Sequence, residues 1–377
     1  MKDKRNDKSY QELFGDEPWP EVVDAKSLFD SLQQLIQSFV RLSVHEAIAA
    51  ALWVMHTYFI RKPKEMQVCS FSPILQIFSP EKACGKSTLM EVLADLCPRS
   101  RQASNISAAA IYRIIELNQP TLFIDEADTF FANRSEIIGI LNDGYRQAGC
   151  VTKQGGRNFE QTLDFHTWGA KCIAGIGRLP ATLESRCIQI RLKKKLPSEE
   201  VRRRSEALSA NPNLFLDFRR QLIRFAIDNE DILLASPDLI NGIQVDDRTQ
   251  DNWSGLLKIA HQINEEIYRK SIEAVLSLSN HDDEEDSDGI ELLRDILELQ
   301  RDGLEGWVAS KLLAKRLMVL PDSRWTNYSR QGLSTYDLAR LLRPFQIYPM
   351  QHKIGGVNQR AYDMTLFEDV FVRYLGE

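Results

Sequence analysis

The stretch that decides the fold is Ser79-Pro80-Glu81-Lys82-Ala83-Cys84-Gly85-Lys86-Ser87-Thr88. The apolar run before it, residues 74–78, predicts a buried strand, and residues 89–96 after it have helical spacing. A strand, a turn and Gly-Lys-Ser at a helix start are typical of a phosphate-binding loop. Backbone N–H groups at a helix N-terminus lack intrahelical partners and carry positive partial charge, so they attract phosphate oxygens. These ten residues are therefore predicted to bind a nucleotide.

Three residues of this loop have predicted roles. Gly85 lets the backbone approach the ligand closely, Lys86 reaches the β- and γ-phosphates, and the Ser87 hydroxyl ligates Mg²⁺. The usual pattern has Gly at position 80, where this chain has Pro80. The alternative is a strand-to-helix turn that contains Gly-Lys-Ser by chance. The predicted ligands are ATP and Mg²⁺.

A second stretch, Thr121-Leu122-Phe123-Ile124-Asp125-Glu126, is a short apolar strand that ends in two carboxylates. In P-loop ATPases the acid at such a strand end holds the Mg²⁺ shell, which assigns that role to Asp125. The next carboxylate, Glu126, would polarise the attacking water. A solvated strand end is the alternative. The pair favours ATP hydrolysis because it follows a Gly-Lys-Ser turn.

Composition indicates an ordinary cytoplasmic protein. The 377 residues are 43% hydrophobic and 27% charged, which is enough for two or three domains. No apolar run is long enough to span a bilayer, and the polar N-terminus lacks the apolar segment of a signal peptide. The six cysteines form no Cys-x-x-Cys pair, so reduced thiols are expected. The net charge of −6 argues against a wholly basic nucleic-acid binder and leaves local basic patches as the alternative.

Strands and helices alternate from residue 74 to residue 192, which predicts an α/β core with a parallel sheet, of the kind found in AAA+ ATPases. Residues 196–278 are helical throughout and suit the helical lid of such a core. Residues 279–289 are acidic and lack apolar side chains, so they predict an exposed linker. The predicted domains are a lead-in and helix at 1–44, a P-loop core at 45–195, the lid at 196–278, the linker at 279–289 and a winged-helix-like module at 290–377.

Residues 149–163 predict a β-hairpin, because two alternating segments flank Gly155-Gly156-Arg157-Asn158. The region near its tip has Lys153 and Arg157 and little acid. Ring-forming ATPases often present such a hairpin to nucleic-acid phosphates. A solvated hairpin with two ordinary surface cations is the alternative.

Two arginines are predicted to contact nucleotide. Arg186 lies just before the last core strand, where AAA+ proteins have an arginine finger that acts on the neighbouring subunit's ATP. The alternative is a surface cation that pairs with Glu184. Arg248 starts the longest predicted lid helix and is a candidate second nucleotide sensor, and local pairing with Asp246 or Asp251 is its alternative.

The C-terminal region predicts three helices and then two short strands joined by Gly355-Gly356, an order typical of a winged helix. Such modules often insert their third helix into the DNA major groove. Arg340, Arg343, Lys353 and Arg360 would supply a basic patch. Many winged helices bind only protein, so DNA contact by this module stays one of two readings.

The chain resembles the uncharacterised P-loop ATPase modules that are fused to, or encoded beside, primases of phages and other mobile elements. The resemblance covers nearly the whole chain, and the family shares the Ser-Pro start of the loop, so Pro80 is typical of it. The resemblance implies ATPase activity and helicase-like replication work, with any primase on a separate chain. Its segments are 17–20, 51–54, 79–86, 104–107, 122–130, 175–180, 247–248, 251–253, 338–344 and 354–356.

Two functional hypotheses follow. The first is a Mg²⁺-dependent ATPase, assembled as a homo-oligomeric ring such as a hexamer, that moves along or remodels DNA during mobile-element replication. The second is a regulatory ATPase switch that scaffolds a partner effector, for example in antiviral defence. A nucleic-acid adaptor with a degenerate nucleotide site is disfavoured because Lys86, Ser87, Asp125 and Glu126 are all present.

Overall fold

The protein is described from a computed structural model. The described residues are 10–60, 67–79, 84–104, 106–125, 135–155, 161–176, 179–192, 195, 199–237, 239–240, 243–279, 288–321, 323–329, 332–345 and 347–375. The chain divides into two compact units, Met1–Asn280 and His281–Glu377. The division falls inside the stretch predicted as a linker, 279–289. The finer division of the first unit into core and lid stays a prediction.

The first unit is built on seven described strands and eleven described helices. The strands are β1 (Ile74–Ser79), β2 (Arg101–Ala103), β3 (Leu122–Ile124), β4 (Cys150–Gly155), β5 (Gln161–His166), β6 (Lys171–Ile176) and β7 (Cys187–Arg191). The helices are α1 (Tyr10–Phe14), α2 (Ala25–Phe39), α3 (Val44–Thr57), α4 (Lys86–Leu96), α5 (Ala108–Asn118), α6 (Ser135–Asp143), α7 (Ala181–Glu184), α8 (Arg204–Ala210), α9 (Leu214–Ala235), α10 (Asp247–Ile263) and α11 (Glu265–Ser279).

Five of these strands form one parallel sheet in the order β2-β3-β6-β1-β7. The predicted parallel α/β fold is therefore confirmed. Strand β2 was not predicted, because it has only three residues and the sequence Arg-Gln-Ala gives no apolar signal. Strands β4 and β5 pair separately as an antiparallel hairpin, in agreement with the hairpin predicted over 149–163.

Alternating side chains of the sheet enter two different cores. Leu75 and Ile77 of β1 pack with α3 and α4, whereas Ile74, on the opposite face, packs with α5 and α6. This alternation follows from the two-residue period of a strand. Both faces of the sheet are covered by helices, which explains why β1 and β6 read as continuous apolar runs rather than alternating ones.

Individual residues fix several local structures of the first unit. Ser43 starts α3 with a capping box in which its hydroxyl accepts from the Glu46 N–H and Glu46 accepts from the Ser43 N–H. Ser107 caps α5 through a single bond, in which its hydroxyl accepts from the Ala110 N–H (3.2 Å). Trp19, in the proline-containing segment before α2, docks on α9. Its backbone N–H donates to the Arg220 carbonyl (2.8 Å), and the centre of its ring lies 5.4 Å from Cζ of Arg220.

The second unit has a three-stranded antiparallel sheet and four described α-helices. The sheet order is β8-β10-β9, with β8 (Trp307–Ala309), β9 (Met350–Ile354) and β10 (Val357–Asp363). The helices are α12 (Asp288–Arg301), α13 (Ser310–Val319), α14 (Thr335–Leu342) and α15 (Phe367–Leu375), with 3-10 turns at Arg324–Asn327, Arg343–Phe345 and Met364–Leu366. These elements enclose their own core around Trp325 and Tyr362, both fully buried. The predicted helices and hairpin are present, and the short strand β8 was not predicted.

Within the described residues, no single helix is long and apolar enough to cross a membrane. Helices α2 and α3 reach the required length and composition only as a pair, and they are bent against each other by 117°.

His56 on α3 is fully buried, as expected for a structural residue of an apolar helix. Neither ring nitrogen has a hydrogen-bond partner among the described residues. Burial alone lowers the pKa of His56 from 6.5 to about 3. The folded protein therefore holds this imidazole neutral at a pH at which the unfolded chain protonates it.

We expect this histidine to make the first unit sensitive to acid. Between pH 6.5 and about 3 the unfolded chain binds a proton that the folded chain does not, so stability is lost as the pH falls through this window. From pH 6.5 to pH 4.5 the wild type should lose about 2–3 kcal/mol more unfolding free energy than His56→Leu. Chemical denaturation of both proteins across this range measures the difference, and parallel curves would refute it.

Candidate functional site

The candidate site lies where the parallel strands end. Their carboxyl ends all meet at one edge of the sheet, where β1 ends at Ser79 and β3 is followed by Asp125. Helix α4, which follows β1, packs in one core, and α7, which follows β6, packs in the other. The chain therefore leaves the neighbouring strands β1 and β6 toward opposite faces. In open α/β sheets, the crevice at such a point is where ligands bind.

Register places Ser79 and Asp125 on the same face of the sheet. Ile77 pairs with Ala174 and Ser79 pairs with Ile176 across β1 and β6. Ile124 pairs with Ile173, so Asp125 is level with Ala174. Side chains at one level share a face, and here it is the face covered by α4. The strands of Ser79 and Asp125 are two spacings apart, about 10 Å.

Gly85 makes the turn into α4. Its φ of 90° and ψ of 11° lie in the left-handed region, and α4 begins at the next residue. A Cβ here would also lie 3.3 Å from Cγ1 of Val40. The first turn of α4 has no acidic residue, so the positive end of the helix is not neutralised locally. The turn therefore has the backbone geometry and the field that a phosphate needs.

Lys86 is held at the end of β1. Its Nζ donates a 2.5 Å hydrogen bond to Oγ of Ser79, a side chain with no solvent exposure. The ammonium thus lies between the strand end and the first turn of α4. An ammonium has three donors and can bind more than one acceptor at once.

Asp125 continues the pairing of its strand, because its N–H donates to the Ala103 carbonyl at 3.1 Å. Burial raises the pKa of the Cys172 thiol, and the charges of Cys97 and Asp125 add to this effect. Within the described part of the chain, no group of three or more His, Cys, Asp or Glu residues is placed to hold a metal. One carboxylate and one hydroxyl are, however, the protein ligands that Mg²⁺ commonly takes beside phosphates.

The structure describes part of the predicted loop. Cys84 is half-buried, Ser87 is exposed and Thr88 is half-buried at the start of α4. The remaining predicted site residues lie outside the described residues: Pro80, Glu81, Lys82, Ala83, Glu126 and Arg157.

The two predicted nucleotide-contacting arginines lie at the opposite edge of the sheet. The Arg186 carbonyl accepts from the Ile74 N–H (3.0 Å), which places Arg186 at the amino end of β1, roughly 16 Å from Ser79 along the strand. Its guanidinium donates to the Thr182 carbonyl. Arg248 pairs with Asp251 (3.4 Å), the local pairing that the sequence left open. The structure therefore does not bring Arg186 or Arg248 together with Ser79 in one chain.

Lys153 of the hairpin packs against the neighbouring helices α5 and α6. Its Nζ lies 2.5 Å from a carboxylate oxygen of Glu136 and 5.7 Å from the centre of the Tyr112 ring. The neighbouring pair of Thr152 and Asp164 is likewise satisfied within the hairpin (2.6 Å). This arrangement agrees with the ordinary surface cation that was the alternative for Lys153.

Sequence reasoning missed Lys171, at the start of β6. It is almost fully buried, and its Nζ donates to the carbonyls of Gly144 (2.9 Å) and Gly169 (2.8 Å). Burial lowers the pKa of Lys171 from 10.5 to about 7. The only sequence signal was a lysine that opens an apolar strand. Its role is to tie the turn after α6 to the sheet.

Comparison with known proteins adds little about this site. A family described as "Protein of unknown function (DUF3631)" matches residues 191–374, just under half of the chain and outside the segment from Ser79 to Asp125. No curated protein matches. Among solved structures, the A form apo structure of the NrS-1 C-terminal region is similar over 93% of this chain and 77% of that chain, with 16% identity and a TM-score of 0.40. A similarity at that level carries no argument about fold or function.

The left-handed turn can be tested by a pair of glycine variants. We expect Gly85→Ala to lower the unfolding free energy by about 1 kcal/mol, because an L-residue is strained at this φ. Gly139→Ala is the control, since Gly139 lies inside α6 with nothing within 4 Å of its added Cβ. It should raise the unfolding free energy by about 0.5–1 kcal/mol. Equal effects of both variants in chemical denaturation would contradict a strained turn at Gly85.

Proposed function

We propose that the protein is a Mg²⁺-dependent ATP hydrolase that acts as an oligomer and couples ATP turnover to movement along, or remodelling of, DNA in the replication of a mobile element. One observation supports this most: Lys86, bonded to Ser79 at the turn into α4, shares an edge and a face of the sheet with Asp125. A positive helix end, an ammonium and a carboxylate so arranged suit a Mg²⁺-bound triphosphate. The core is thus proposed to be a P-loop core.

Each group has a proposed task. The N–H groups of the first turn of α4 bind phosphate oxygens, and Lys86 neutralises charge on the terminal phosphates. The Ser87 hydroxyl and the Asp125 carboxylate would hold Mg²⁺, which bridges phosphate oxygens and offsets their charge. Ser79 positions Lys86 by holding its Nζ at the strand end. Glu126, next in sequence after Asp125, is proposed to polarise the attacking water.

The position of Arg186 supports an oligomer. It lies at the amino edge of the sheet, too far from Ser79 of its own chain to reach the same phosphate. Were it an arginine finger, it would act on nucleotide bound by a neighbouring copy. Head-to-tail contacts of this kind close into rings when the rotation permits.

The second unit is the proposed nucleic-acid contact, as a winged-helix-like module, because its charges are segregated. Residues 288–305 have six acidic and two basic residues, whereas residues 323–361 have one acidic residue, Asp337. The basic residues of this second stretch are Arg324, Arg330, Arg340, Arg343, Lys353 and Arg360. Arg324 pairs with Asp288 and Glu291. This basic segment, residues 323–361, is suited to binding a polyanion although the whole chain has a net negative charge.

The side chains of this basic segment are also arranged in a way that suits nucleic-acid binding. Tyr336, Arg340 and Arg343 recur at helical spacing on the exposed side of α14 and its 3-10 extension, and Tyr336 is 77% exposed. On β10, Arg360 shares a face with the buried Tyr362, so it lies on the helical side of the small sheet. Aromatic rings stack on bases and guanidinium groups bind phosphates. Arg340 lies 3.6 Å from Asp337 and its side chain is 55% exposed, whereas Lys153 lies 2.5 Å from Glu136 and is 36% exposed, so this face is favoured over the hairpin of the first unit.

The ATPase proposal is tested first by turnover. Lys86→Ala should lower the ATP hydrolysis rate by about 10²–10³-fold, because a charge aimed at the terminal phosphates is lost. Asp125→Asn should raise the Mg²⁺ concentration needed for half-maximal turnover. Lys270→Ala removes an exposed lysine that pairs with Glu266 on α11, and it should retain the wild-type rate. A Lys86→Ala protein that hydrolyses ATP normally would refute the proposed site.

The nucleic-acid face is tested by the salt dependence of DNA binding. Arg340→Ala/Arg343→Ala should weaken single-stranded DNA binding and lower the slope of log K against log salt by about 1.4, as expected for two lost phosphate contacts. Tyr336→Ala should cost about 1–3 kcal/mol if a base stacks on this ring. Lys26→Ala/Lys270→Ala removes the same charge from α2 and α11 of the first unit, outside this face, and it should leave the slope unchanged. An unchanged slope in the arginine variant would exclude this face.

DNA stimulation of turnover separates the proposed function from the regulatory switch. A motor on DNA should hydrolyse ATP faster when single- or double-stranded DNA is present. A switch that gates a partner effector should show the same rate with and without DNA.

A further inference from the structure

Tyr145 is anchored at the amino edge of the large sheet, in the turn after α6. Its carbonyl accepts from the Ser72 N–H (3.0 Å), and its ring, fully buried, lies 5.2 Å from that of Phe71. Lys171 holds the preceding residue by its bond to the Gly144 carbonyl. The ring therefore has a fixed position relative to β1 and β6.

Two arginines from distant parts of the chain converge on this one ring. Cζ of Arg186 lies 5.8 Å from the ring centre, and Cζ of Arg248 lies 5.3 Å from it. Arg186 precedes β7, whereas Arg248 is in the first turn of α10. Both guanidinium groups are within the range of a cation–π contact, which explains how two like charges are held close together.

Asn252 fixes the positions of the two arginines relative to each other through its hydrogen bonds. The side-chain amide of Asn252, on α10, donates to the carbonyls of Ser185 (3.2 Å) and Cys187 (3.3 Å), the residues on either side of Arg186. Arg248 is one helical turn before Asn252. Any movement of α10 therefore displaces both guanidinium groups together.

Arginines and aspartates both surround the ring. Burial lowers the pKa of Arg186, and the neighbouring cations Arg248 and Arg146 lower it further. Asp251 pairs with Arg248, and Asp246 and Asp247 lie beside it at the start of α10. Nε of Arg186 is buried and has no acceptor among the described residues. A negative oxygen of an incoming group would give this Nε an acceptor.

We propose that Arg186 and Arg248 form a single anion site, positioned by Tyr145, that receives the terminal phosphates of the nucleotide bound by a neighbouring copy of this chain. This inference rests on the proposed ATPase function and changes the role of Arg248. Arg248 acts on the neighbour's nucleotide together with Arg186, and is not a sensor for its own. The separation of roughly 16 Å from Ser79, longer than an arginine side chain, requires the second copy.

Mixed oligomers test this assignment directly. Lys86→Ala subunits have intact arginines and a disabled phosphate site, whereas Arg248→Ala subunits have the reverse. Each alone should be nearly inactive. In an equal mixture, about a quarter of the interfaces combine an intact phosphate site with an intact arginine pair, so about a quarter of the wild-type rate should return. No recovery would show that Arg248 serves its own chain.

A second mixture separates one shared site from two. If Arg186 and Arg248 belong to the same site, every interface between Arg186→Ala and Arg248→Ala subunits lacks one arginine, and mixing restores nothing. If Arg248 acted on its own chain's nucleotide, a quarter of the interfaces would be complete and activity would return. Arg224→Ala is the control, since Arg224 pairs with Asp228 on α9, and its rate should equal that of the wild type.

Folding and the parent proposal are checked in the same series. Thermal unfolding of Arg248→Ala and Arg248→Gln shows whether loss of activity reflects loss of fold, and at least one of these variants should unfold at the wild-type temperature. If the wild type is active but the mixture of Lys86→Ala and Arg248→Ala subunits recovers no activity, this inference alone is overturned. A folded wild type that does not hydrolyse ATP overturns the proposed function and this inference together.

Discussion

All five strands of the large sheet run in the same direction, and the rest of the molecule depends on that constraint. Parallel strands place every carboxyl end at one edge and every amino end at the other. Ser79 and Asp125 therefore meet at one edge although 46 positions separate them in the sequence, while Tyr145, Arg186 and Arg248 meet at the opposite edge. A single sheet thus presents two chemically different ends.

The two ends are complementary in the proposed assembly. At the carboxyl edge, the turn at Gly85, the Lys86 ammonium and the Asp125 carboxylate would bind a Mg²⁺-bound triphosphate. At the amino edge, the pair of Arg186 and Arg248 would receive an anion. A head-to-tail contact between copies would bring one end of the sheet against the other end of a neighbouring sheet. Because Asn252 bonds α10 to the residues beside Arg186, such a contact would also displace α10.

The main elements of the fold could be predicted because their signals are local. The apolar runs of β1, β3, β6 and β7, the caps at Ser43 and Ser107, and the hairpin are each encoded within about ten residues. Strands β2 and β8 could not be predicted, because Arg101–Ala103 has no apolar run and Trp307–Ala309 leads directly into a helix at Ser310. The unsatisfied ring of His56 was missed for a related reason: burial is set by the packing of α3 against α10, which no local pattern reveals.

The candidate site was predictable only in part. Local spacing identified Gly85, Lys86 and Asp125 as neighbours of strand ends, and register then placed Ser79, the partner of Lys86, on one face with Asp125. The pairing of Lys153 with Glu136 and the convergence of Arg186 and Arg248 on Tyr145 are tertiary, because the partners are 17 to 103 positions apart. Charge patterns in a sequence show which cations exist, and the fold decides which of them are already neutralised.

The most direct test of the central claim is a crystal structure of the protein with Mg²⁺ and a non-hydrolysable ATP analogue. The account predicts triphosphate density against the first turn of α4, with Nζ of Lys86 bonded to a terminal phosphate oxygen and Asp125 on the metal side. Density for the analogue at any other place, or saturating analogue without density at the carboxyl edge of the sheet, would contradict it.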